Sequence, residues 1–127
     1  MAEKLIALTS AYPRQRMLIM LHNLHIKREG SRERAALKLK SVREYFEEVF
    51  PGQSHSVAQL ARSGSALHND LSPFRFHITD PHSAESLCGD AACTLLTAAE
   101  IPATCTAWHH AFERETVTAK DQYEGCF

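Results

Sequence analysis

The chain has 127 residues, 44% of them hydrophobic and 23% charged, with a formal net charge of −1. That is apolar enough for the core of a single domain, and it argues against both a disordered chain and a simple polycation. The longest apolar run, residues 17–21, is far short of the ~20 needed to span a bilayer, and the N-terminal residues lack the pattern of a secretory signal. The expected setting is therefore the cytoplasm, with no membrane partner.

Residues 4–9 read as a short strand or as the lead-in to a helix. Ser10 as N-cap, Pro13 in the first turn and Gly30 as a stop predict a helix over 11–29. Its middle is apolar nearly all round, the mark of a central helix or of half an interface. Ser31 and Pro51-Gly52 bound a second helix over 31–50, with Ala35, Leu39, Val42, Phe46, Val49 and Phe50 on one stripe, so that the two helices form a hairpin. A short helix over 55–62 and a flexible boundary at 63–72 come next. Phe74, Phe76 and Ile78 alternate with Arg75, His77 and Thr79, which is strand periodicity. Asp80-Pro81 then opens a helix predicted to run to residue 99. Two strands over 104–110 and 112–118 follow, and the tail 121–127 is loose unless Tyr123 and Phe127 anchor it. The fold class is α+β in one domain, a small antiparallel or mixed sheet with helices on one face. Its expected core is Leu39, Val42, Phe46, Val49, Phe76, Ile78, Leu87, Leu95 and Trp108.

Charge is split along the chain. Residues 1–62 carry 11 Lys or Arg against 6 Asp or Glu, and residues 63–127 carry 3 against 9. Such a split suits either an acidic partner for the basic half or attraction between the halves, within one fold or across a dimer. Lys27, Arg28, Arg32, Arg34, Lys38, Lys40 and Arg43 concentrate seven cations in seventeen residues, the candidate surface for nucleic acid or an acidic protein. The alternating signs in Arg32-Glu33-Arg34 read equally as a solvated helix face.

The chemistry-bearing residues form no complete constellation. Four cysteines, Cys88, Cys93, Cys105 and Cys126, are expected to be reduced thiols in a cytoplasmic protein. Among eight histidines only His22 and His25, at i and i+3, are neighbours on a helix face, and they read as hydrogen-bonded core residues; no metal and no cofactor are expected. The densest polar run, Arg75, His77, Thr79, Asp80 and His82, projects from one strand face and ends beside a predicted helix N-terminus, where an anion can bind. His77-Ile78-Thr79 resembles one half of the paired His-x-Thr pattern of the two-histidine phosphoesterases, but the chain has no second half. His77, Asp80 and Cys93 are the weak catalytic candidates, Cys93 as a nucleophile paired with a histidine.

The reading these features favour is an interaction module, a regulator, adaptor or inhibitor that binds a protein partner and does not catalyse. A homodimer through Met17, Leu18, Ile19 and Met20 is expected, since a two-layer domain of this size struggles to cover a helix apolar all round. A nucleic-acid-binding protein using 27–43 and a small phosphate-handling or hydrolytic enzyme around His77 are the alternatives.

Overall fold

A computed structural model describes residues 1–29, 39–68, 70–87, 89, 94–110 and 113–126, with the backbone alone at 109, 110, 113 and 115. The architecture is α+β, as the periodicity predicts, and the described residues form four helices and three small sheets. In chain order they are α1 (Ala2–Ala11), α2 (Asn23–Ile26), α3 (Val42–Val49), β1 (Val57–Ala58), β2 (Ser63–Leu67), β3 (Pro73–His77), a 3-10 turn (Ala84–Ser86), β4 (Leu96–Thr97), β5 (Cys105–His110), β6 (Glu113–Val117), α4 (Ala119–Gln122) and β7 (Gly125–Cys126). The sheets are β1-β7-β4, the hairpin β2–β3 and the hairpin β5–β6. Strand β7 lies in the middle of its sheet, parallel to β1 and antiparallel to β4.

The predicted 11–29 helix does not form. Its Pro13 follows a helix and does not begin one. A residue before proline is driven out of the helical region, and Tyr12, at φ −126 and ψ 62, closes α1 instead. Residues 15–22 then run without helix or strand until His22, whose Nδ1 accepts from the Leu24 amide at 3.2 Å and opens α2. His22 and His25 are accordingly exposed, not core residues. Of the predicted 31–50 helix, residues 39–41 are described and are not helical, and α3 begins only at Val42. Ser41 and Glu44 form a reciprocal capping box there, which satisfies two orphan amides at the helix start; residues 30–38 lie outside the described residues.

The predicted helix after Pro81 is also replaced. Asp80 Oδ1 accepts the His82 amide at 2.9 Å and Ser86 Oγ donates to the Asp80 carbonyl at 2.8 Å. Side chains that bond nearby backbone compete with a helix in this way. Among the described residues of this span only the 3-10 turn forms, Gly89 takes a positive φ of 60, and residues 96–97 become β4; residues 88 and 90–93 lie outside the described residues. Residues 55–62 contain β1 and no helix, and within 63–72 strand β2 pairs with β3 from Ser63↔His77 to Leu67↔Pro73.

The main core is Ala58, Ala84, Ile101, Cys105, Ala107, Val117, Ala119, Tyr123 and Cys126. Of the residues expected inside, Val42, Phe46 and Ile78 are buried, Phe76, Leu87 and Trp108 are half-buried, and Leu39, Val49 and Leu95 are exposed. The tail supplies what those missed. Tyr123 is buried and its Oη donates to the Asn23 carbonyl at 3.3 Å, the wholly buried Gln122 accepts the Arg28 and Glu29 amides, and the Glu124 amide donates to Ser56 O at 3.0 Å. The tail is thus anchored between α2 and β1; Phe127 lies outside the described residues.

Candidate functional site

Of the four described cations of the basic run, Lys27 and Arg43 are buried, and Arg28 and Lys40 are exposed but ion-paired. Arg43 is buried and forks onto Glu124, with Nη1 at 2.9 Å from Oε2 and Nη2 at 2.6 Å from Oε1. Arg28 pairs with the same carboxylate, and the Ser56 amide donates to it at 2.7 Å. Burial alone raises the pKa of Glu124, but the bonds from Arg43, the Ser56 amide and Arg28 outweigh it and hold the carboxyl at about 2. Lys27 is buried as well, and Lys40 pairs with Glu48. Lys27 and Arg43 therefore belong to no exposed cationic face. Arg32, Arg34 and Lys38 lie outside the described residues.

The apolar residues 17–20 fare differently. Met17 is half-buried, but Leu18 is 95% exposed, Ile19 41% and Met20 75%. No backbone hydrogen bond reaches residues 17–21 from any described residue. They follow α1, whose Leu8 and terminal Tyr12 are exposed too. This is a strip of apolar side chains on an unpaired, nonhelical backbone.

A third region gathers polar side chains from three parts of the chain. An open cleft of about 500 Å³ is lined by the end of β3, by Asp80 on the loop after it, and by Trp108 and Arg114 on the β5–β6 hairpin. In β5 the alternation turns Cys105 and Ala107 into the core and leaves Thr106 and Trp108 on the opposite face. Asp80 Oδ2 accepts from Thr106 Oγ1 at 2.8 Å and from Arg114 Nε at 3.2 Å. With the His82 amide first and Thr106 next, these donors hold the Asp80 carboxyl below its usual value. Asp80 therefore acts as an anchor that ties its loop to both strands. Behind Trp108 the buried Glu85 accepts the Trp108 amide at 2.7 Å, and burial pushes the Glu85 carboxyl up.

The structure brings His77 and Asp80 to one cleft and leaves the helix N-terminus expected beside them unformed. Cys93 lies outside the described residues. Burial pushes the Cys105 thiol up, away from nucleophilic reactivity. Among the described residues, no group of three or more His, Cys, Asp or Glu is placed to hold a metal ion, and no helix is long and apolar enough to cross a membrane. Reading the sequence missed Arg114 and Glu124. The usable signal for Arg114 was the pairing of the two C-terminal strands, since Thr106 opposite Thr116 sets Arg114 on the Trp108 face. For Glu124 there was none, because its partners lie 68 to 96 residues away. No known protein family, curated protein or solved structure matches this chain.

Proposed function

We propose that this protein is an interaction module that works by binding and not by catalysis, and that its Met17–Met20 strip is covered by a second copy of the chain. The observation that carries the reading is the strip itself, with Leu18 95% and Met20 75% exposed and no backbone hydrogen bond to it from any described residue. A segment whose backbone is unpaired can pair with a second strand, and each fully buried Leu or Met contributes about 1.5–3 kcal/mol. The segment is uncharged from Met17 to Leu21, so it complements itself. In an antiparallel pair centred on Ile19, Leu18 of one copy meets Met20 of the other, the isologous arrangement of a twofold dimer. The free, buried thiol of Cys105 suits a reducing compartment such as the cytoplasm. A regulator, adaptor or inhibitor built on such a dimer fits better than a nucleic-acid binder, because Arg28, Arg43 and Lys40 are already paired.

Light scattering after gel filtration tests this. The expected mass is that of two 14.2 kDa chains for the native protein and of one chain for Leu18→Asp, with unchanged circular dichroism. A native mass near one chain at all concentrations overturns the proposal.

A further inference from the structure

We infer that the cleft between β3, the Asp80 loop and the β5–β6 hairpin binds a small aromatic oxyanion, its ring against Trp108 and Phe76 and its charged group on Arg114 and His77. The inference does not depend on the dimer, since none of these residues belongs to the apolar strip. At about 500 Å³ the cleft falls within the range of small-molecule sites, about 300–1,000 Å³.

Its hydrogen-bonding balance points to an anion. The carboxylate that lines it, Asp80, already accepts from the His82 amide, Thr106 Oγ1 and Arg114 Nε, so it has little left to offer a ligand. Arg114 commits only Nε to Asp80, its two Nη groups have no partner among the described residues, and its side chain is 61% exposed. A guanidinium held by one edge, with its other donors free, is the fork that meets carboxylate or phosphate oxygens bidentately. His77 is exposed on the same cleft and has no side-chain partner among the described residues. The donor capacity left over thus exceeds the acceptor capacity.

The walls supply the aromatic half. Trp108 is fixed at its amide by the buried Glu85, while its indole Nε1 is buried with no hydrogen-bond partner among the described residues. An unmet buried donor is uncommon in native proteins and calls for a reason beyond packing. Phe76 lies across Gly64, where a Cβ would come within 3.3 Å of its ring, so the glycine leaves room for the ring at the cleft edge. Beyond His77 a second cleft of about 450 Å³ carries Ser63, Ser65 and Arg75, which extends the donor-rich surface past the first.

Trp108 is the chain's one tryptophan, so its emission reports on this cleft alone. The native protein is titrated with phenyl phosphate and, separately, with benzyl alcohol, which has the ring without the charge. The expected result is a saturable change in emission with phenyl phosphate and none with benzyl alcohol. Arg114→Gln should weaken phenyl phosphate by ~10-fold or more, the loss of a bidentate charged contact. His77→Asn, at an exposed position, should weaken it several-fold with circular dichroism unchanged, which keeps the test valid if Arg114→Gln disturbs the Asp80 loop. Absence of saturation with phenyl phosphate, equal binding of benzyl alcohol, or undiminished affinity in both folded variants overturns the inference.

Discussion

Removing the charge of Glu124 alone, by Glu124→Gln, should change the acid stability of the whole molecule. The carboxyl lies at about 2 in the folded protein against 4.5 in its ordinary state. That difference corresponds to about 3 kcal/mol at 1.36 kcal/mol per unit. Arg28, one of its two cations, is half exposed, and screening there brings the expected contribution to about 2 kcal/mol. Because the folded value is the lower one, this stability is fully present above pH 4.5 and is lost as pH falls toward 2. Urea unfolding followed by circular dichroism from pH 6 to pH 2 provides the measurement. Asp80, Glu47, Asp70 and Glu100 are also held below their ordinary values, so native stability falls for several reasons at once. The readout is therefore the difference between the two proteins, with Glu124→Gln less stable by about 2 kcal/mol at pH 6 and the gap closing by pH 2. A constant gap across that range would show that the Arg43–Glu124 contact is neutral packing and not an ionic clasp.

Two further substitutions probe the packing directly. At Gly125 in the central strand β7 an added Cβ would sit 2.7 Å from the Leu96 carbonyl oxygen, so Gly125→Ala should cost about 1–3 kcal/mol in urea unfolding, and an unchanged midpoint would show that β4 does not pair there. Phe46 is buried on α3 with its ring 5.1 Å from Phe50; truncation to Ala should cost about 3–5 kcal/mol, and a loss below about 1 kcal/mol would mean that α3 buries no real face.

What could be read from the chain depended on how local the information was. Strands β3, β5 and β6 follow the alternation of Phe74, Phe76 and Ile78 and of Cys105, Ala107 and their neighbours, a period written into successive residues. The stripe holds in part for the same reason, with Val42 and Phe46 buried and Phe50 half-buried, while Leu39, which precedes α3, and Val49 face water. Strands β1, β4 and β7 are two residues each, too short to show any period, and they exist only because the tail returns between distant segments. Pro13 could be read as opening a helix or as ending one, and the choice rested on α1, whose apolar residues carry no clear stripe. At the cleft, the polar run at 75–82 revealed His77 and Asp80, but Arg114 arrives from 34 residues beyond Asp80.

The split in charge acquires a physical meaning once Glu124 is placed. The basic half sends Arg28 and Arg43 to one carboxylate of the acidic half, and the same residue ties the tail to two interior segments, its amide donating to the Ser56 carbonyl and its carbonyl accepting the Ala98 amide. Opposite charges distributed this way close the fold on itself, and two of the four described cations among residues 27–43, Lys27 and Arg43, are withdrawn from the surface. What the described surface offers instead is an uncharged strip at 17–20 and a donor-lined cleft at Arg114, two features of different chemistry contributed by different halves. Disabling one should leave the other intact. Leu18→Asp should abolish self-association without altering phenyl phosphate binding, and Arg114→Gln should do the reverse; loss of both functions in either variant, with the fold preserved, would mean that the strip and the cleft are parts of one surface.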